Sequence, residues 1–155
     1  MKHLATLSLL FALSPALPAQ NEKELPLTEL PAEIKAKASA LLPGFELQRA
    51  QIETESSGAK TYELIGTHEG ITTEIDFNED GSFQEYEKQL TLHQVPFAVR
   101  KAIHQAYPGI EFTLFEASFN EHHKVFQYEV EGLIKDRKID LEVSPSGRTI
   151  IESDS

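Results

Sequence analysis

The densest concentration of metal-competent side chains in the sequence is DFNEDGSFQEYE, Asp76 to Glu87, which fits the calcium-loop pattern D-x-[DN]-x-[DN]-G-x5-E at every specified position. Asp76, Asn78, Asp80 and Glu87 would supply the oxygen donors that a hard cation such as calcium takes, and Gly81 the sharp turn between them. A helix-pair calcium site needs flanking helices. The upstream GTHEGITTEIDF instead alternates apolar and polar residues and carries Gly66 and Gly70, which is a strand pattern. A second turn, LEVSPSGRTIIE, keeps the glycine at Gly147 while Glu142, Ser144, Ser146 and Ser153 stand where Asp76, Asn78, Asp80 and Glu87 would be. The glycine is then explained by a need for positive φ in a hairpin turn, and the donors are dispensable to the fold. A plain turn is the leading reading, with calcium at these four residues the alternative.

Other constellations point away from catalysis. His122-His123 lie in an expected turn, where adjacent side chains diverge, and two histidines fall short of the three or four ligands of a zinc site. His68-Glu69 lacks the second histidine of H-E-x-x-H, while His93 and His104 are dispersed. No G-x-S-x-G elbow and no phosphate-cradling loop appear, and carboxylates are too frequent for any one pair to single out glycoside chemistry. No catalytic residue is assigned, and the chain is read as not an enzyme.

Composition narrows the class further. The 155 residues, 40% hydrophobic with nine Phe and four Tyr, are enough to build a core. No cysteine is present, which excludes disulfides, thiolate metal sites and thiol catalysis. The opening MKHLATLSLLFALSPALPAQ has a basic start, an apolar run from Leu4 to Leu13 and small residues before Gln20, the layout of a secretory signal cleaved near Ala19. An apolar run of about 10 residues is too short to span a bilayer. The expected address is periplasmic or extracellular, with no membrane span after signal removal. Without Lys2 the chain keeps 13 basic against 25 acidic residues, a formal charge of −12, which disfavours nucleic acid and anionic membranes; no nucleic-acid partner is expected.

The elements that would position these groups come in the same order twice. LPAEIKAKASALLPGFE, 30–46, aligns with VPFAVRKAIHQAYPGIE, 95–111, at a spacing of 65 residues, and YELIG from Tyr62 with YEVEG from Tyr128 at 66. Each block opens with proline, carries apolar residues at helical spacing and stops at Pro-Gly. The β-rich stretches FELQRAQIETE, TYELIG, ITTEIDF, IEFTLFEASF, VFQYEV and KIDLEV follow. The expected fold is α+β: two tandem repeats, each a helix packed on an antiparallel sheet of about four strands. The expected division is a signal peptide at 1–19, an N-terminal linker at 20–27, repeat 1 at 28–91 and repeat 2 at 92–155. If each sheet carries its helix on one side, the other side is open to a partner. Tyr86, Phe115 and Phe119, near strand ends or breaks in alternation, are the expected protein-binding residues on that face.

The paired helices with their proline-glycine stops, the YELIG and YEVEG strands and the DFNEDGSF and EVSPSGRT hairpins resemble those of exported bacterial proteins built from PepSY-like repeats, similar in arrangement to the β-lactamase inhibitor protein. The resemblance runs from about Thr28 to Glu152. It implies tandem α+β repeats, a periplasmic or secreted address and no catalysis; apart from the calcium alternative, no cofactor is expected. It also implies a role as a binding module that inhibits or modulates an envelope or secreted enzyme such as a protease. The inhibitor's repeats are braced by disulfides that this chain cannot form, and no position matches an inhibitory motif. Exposed edge strands leave monomer and dimer both open.

Overall fold

The structure, a computed structural model, describes residues 22–54 and 57–153; the signal-peptide reading lies outside the described residues. Nine strands form one antiparallel sheet in simple sequential order. These are β1 (Glu22–Leu25), β2 (Glu46–Thr54), β3 (Lys60–His68), β4 (Ile71–Asn78), β5 (Phe83–Gln89), β6 (Glu111–Phe119), β7 (Val125–Ile134), β8 (Arg137–Val143) and β9 (Ile150–Glu152). Helices α1 (Ala32–Leu41) and α2 (Phe97–Ala106) precede β2 and β6. Pro31 and Pro96 sit at their N-caps, where a missing N–H costs nothing, and the chain leaves each helix through the Pro-Gly turns at Gly44 (φ 89°) and Gly109 (φ 82°).

The expected architecture of two units, each a helix on its own sheet of about four strands, is corrected by this topology. The protein is predominantly β, and its strands form one sheet because β5 and β6 pair through Tyr86↔Phe119, Glu87↔Ser118, Lys88↔Ala117 and Gln89↔Glu116. Two sheets would each have left an unpaired edge at this point, and merging satisfies both rows of backbone groups. Strand β1, in the stretch expected to be a linker, adds a further strand by pairing Glu22–Leu25 with Ala50–Glu53. Both outer edges are short, at four and three residues, and both carry glutamates, which discourages further strand addition.

Both helices lie on one side of the sheet. Ile34 and Ala38 of α1 pack on Ala50, Leu64, Ile75, Phe77 and Tyr86; Val99 and Ile103 of α2 pack on Phe115, Ala117, Val130, Ile139, Leu141 and Val143. Each fully buried side chain of this kind stabilises by about 1.5–3 kcal/mol, so the covered side holds most of the hydrophobic stabilisation. Close approach fixes Gly66 and Gly132. A Cβ on Gly66 would collide with the Glu46 carbonyl oxygen, and one on Gly132 would come within 2.6 Å of Ile110 Cγ1, so neither strand could lie against its neighbour with a larger residue. The side of the sheet away from the helices carries no helix among the described residues.

Candidate functional site

Strand alternation sends every second residue to the open side, and the sequence fills those positions with acids. Glu63 of β3 faces Asp76 of β4; Glu74 faces Glu87 of β5; Glu116 of β6 faces Glu129 of β7; Glu129 in turn faces Glu142 of β8, and Glu131 faces Asp140. A bulge adds one more. Ile75 pairs with Tyr86 and Phe77 with Phe83, so Gln84 and Glu85 together oppose Asp76, and Glu85 joins Glu87 on the open side. Arg49, near Glu74, and Lys138, 3.1 Å from Glu131, are cations at the two flanks of this carpet. Leu114, Leu133 and Ile151 occupy the open side on β6, β7 and β9, with Leu133 37% and Ile151 54% exposed.

Crowding makes these carboxyls reluctant to ionise. Burial pushes Glu63 up to about 7, against the Gln51 amide that hydrogen-bonds it. Burial, then the charges of Glu63 and Glu116, push Glu74 up to about 8. Asp76 is raised well above the ordinary range by burial and by Glu74 and Glu63. Burial and Glu129 bring Glu85 to about 7, and burial and Glu129 likewise bring Glu116 to about 7. Glu87 lies far above the usual carboxylate range, first through burial and then through a carboxyl hydrogen bond to Glu129. Removing a carboxylate from water and placing it beside others both disfavour the charged form. The Oδ1 of Asp76 and Oε2 of Glu85 are buried without a hydrogen-bond partner among the described residues.

The residues singled out from sequence fall on different sides. Asp76 and Glu87 stand on the open face, half-buried, whereas the alternation alone would have left Asp76 in water. Asn78 and Asp80 are spent on the turn: Asp80 Oδ1 accepts from Ser82 N at 2.8 Å, and Asn78 bonds the Ser82 hydroxyl at 2.8 Å and the Gln84 amide at 2.6 Å. The four therefore belong to two places, not to one loop. Gly81 has φ 75° and Gly147 φ 70°, as a backbone need at both turns requires. Tyr86 and Phe115 are buried in the core and Phe119 is partly buried beside them, on the helix side. They cannot contact a partner on the open face, because the bulge at Ile75/Phe77 restores Tyr86 to the core side. His122 lies near Glu121 and His123 near the Tyr86 hydroxyl, so the two rings diverge. What the sequence reading missed is the acidic face itself. Its signal was present as acids on alternate positions of six strands, 63, 74 and 76, 85 and 87, 116, 129 and 131, and 140 and 142.

A family model described as "Putative beta-lactamase-inhibitor-like, PepSY-like" matches residues 60–150. Comparison with curated proteins gave no match. Among solved structures, a BLIP-like protein from Bacteroides fragilis NCTC 9343 is 19% identical, with 78% of this chain and 83% of that one covered and a TM-score of 0.59. A DUF2874 family protein from Bacteroides uniformis ATCC 8492 is 17% identical, covering 79% and 88%, with a TM-score of 0.62. Another, described as "putative periplasmic proteins" from Bacteroides eggerthii DSM 20697, is 14% identical, covering 79% and 88%, with a TM-score of 0.58. These likenesses establish a shared fold. The match over residues 60–150 goes further: the chain belongs to the PepSY-like, β-lactamase-inhibitor-like family.

Proposed function

We propose that the protein is an exported, non-enzymatic binding module that docks a basic protein surface on the open face of its sheet, and so modulates an envelope or secreted enzyme. The observation that carries this reading is the face itself: a broad helix-free surface whose acids outnumber its cations Arg49 and Lys138, bordered by Leu114, Leu133 and Ile151. A cationic partner would restore the counter-charge that these carboxyls lack, and the apolar border would exclude water around the contact. Family membership supports binding over catalysis, the secretory layout of residues 1–19 supports export, and the similar protein described as periplasmic fits the same address. The module is read as residues 28–91 and 92–155 acting through one surface, as monomer or dimer.

The test is capture of partners from native envelope by the immobilised protein, beside a variant carrying Glu74→Lys, Glu116→Lys and Asp140→Lys. A basic protein retained by the parent, released by salt and lost by the variant supports the reading. Equal capture by both proteins overturns it.

A further inference from the structure

The structure assigns a divalent-cation site to Glu85, Glu87 and Glu129 on the open face, with Asp76 beside it, and the cation is of the calcium class. One carboxylate oxygen from each of the three glutamates lies within 4.8 Å of the others, a span that one ion can bridge. Their convergence has a specific cause. Glu85 and Glu87 share a side because they flank core-facing Tyr86 after the β4–β5 bulge, and Glu129 reaches them from β7 across β6. The β6 residue beneath is Ser118, fully buried, whose small side chain leaves the space above it open to both carboxylates. A leucine at that position would fill the gap and separate them.

An acidic cluster alone would be only a crowded surface. Here two oxygens point to something missing: Asp76 Oδ1 and Glu85 Oε2 are buried with no hydrogen-bond partner among the described residues, and Asp76 directly opposes Glu85 across the bulge. A buried oxygen without a donor is costly unless a cation or a proton meets it. The donor set is entirely oxygen, with Ser118 Oγ 3.0 Å from Glu129 Oε1, and neither cysteine nor histidine joins it. Oxygen ligands select hard cations. An irregular set on a flat sheet, completed by water from the open side, suits the flexible six- to eight-fold shell of calcium better than the strict octahedron of magnesium. This site differs from the Asp76–Glu87 turn motif, since it uses neither Asn78 nor Asp80. It also stands apart from the protein-docking reading, because it needs no partner.

The test is calcium titration of the isolated protein at pH 7.5 by calorimetry and by thermal melting, with magnesium in parallel. Calcium is expected to bind one site per chain and raise the melting temperature by several degrees, with magnesium at least ten-fold weaker. Glu129→Gln and the double variant Glu85→Gln, Glu87→Gln are expected to lose binding at least ten-fold while staying folded, because glutamine keeps the shape and removes a repulsive charge. Asp80→Ala should bind as the parent does. No calcium binding by the parent, equal binding by Glu129→Gln, or loss on Asp80→Ala overturns the assignment.

Discussion

Glu87 and Glu129 sit on either side of one serine hydroxyl, with Ser118 Oγ 3.4 Å from Glu87 Oε1 and 3.0 Å from Glu129 Oε1. A hydroxyl has one hydrogen to donate, so it serves the nearer carboxyl, and Glu87 is left to share a proton with Glu129. The most crowded point of the acidic face is thus organised around a buried side chain that sequence alternation places outward. Ser118→Ala removes that donor and is expected to destabilise the protein by about 1 kcal/mol in urea unfolding. Ser118→Thr, which keeps the hydroxyl, should recover most of the loss; equal destabilisation by both would mean that size, not hydrogen bonding, sets the site.

The crowded carboxyls also fix the direction of the pH dependence. Glu63, Glu74 and Glu116 rise from 4.5 to about 7, 8 and 7 in the folded protein, so the folded state holds protons that the unfolded chain has released. Their stabilising contribution is complete below about pH 4.5 and is lost as pH climbs through 7 to 8. After discounting for exposure and mutual coupling, the loss from pH 5 to pH 8.5 is on the order of 3 kcal/mol. Asp80, held low by its bonds to Ser82, works oppositely and weakens the turn as pH falls through its own range. The melting temperature should peak near pH 5 and fall toward pH 8.5, and Glu74→Gln should flatten that slope. A melting temperature that rises through the same window would contradict the placement of these acids.

The two hairpin glycines make a matched pair with unequal surroundings. A Cβ on Gly81 would meet the end of the Lys37 side chain at 3.2 Å, a group that can move. On Gly147 it would lie 2.6 Å from the Ala98 carbonyl oxygen of α2, which cannot. Both residues have positive φ, so alanine strains each backbone by about 1 kcal/mol or more. Gly147→Ala adds displacement of the helix and should cost about 2 kcal/mol beyond Gly81→Ala. Chemical denaturation of the two variants measures the difference directly, and equal costs would show that the α2 contact is not binding.

Much of the fold was legible residue by residue. Helix stops at Pro-Gly, turns at Gly81 and Gly147, and strands at YELIG and YEVEG follow from local chemistry that the sequence states outright. Pairing of β5 with β6 was not legible, because alternation marks a strand's faces and is silent about which edge it meets. The same limit hid the true side of Tyr86: one bulge residue reverses the alternation, and nothing in FQEYE announces a bulge. Asp76 and Glu87 were selected for a shared loop by spacing, whereas cross-strand register gives them different neighbours, Glu63 and Ser118. The acidic face is a product of register across six strands, so no single stretch could have displayed it.

That register depends on a narrow seam. Four residue pairs join β5 to β6, with Leu90 N donating to Phe115 O just beyond them, and the ring of Phe119 stacks on Tyr86 there, with centroids 4.8 Å apart and planes 1° from parallel. Phe119 also packs against both hydrophobic clusters, so it couples the part of the sheet under α1 to the part under α2. Phe119→Ala is expected to destabilise by about 3 kcal/mol, from lost burial and lost stacking. The more telling consequence is in cooperativity. With the coupling side chain removed, calorimetric unfolding should exceed the van't Hoff enthalpy and broaden toward two transitions, one for each cluster. An equally large loss from Leu64→Ala, a core residue away from the seam, should leave a single sharp transition at lower temperature. If both variants unfold in one sharp step, the sheet is cooperative through its backbone ladder alone, and Phe119 is an ordinary core residue.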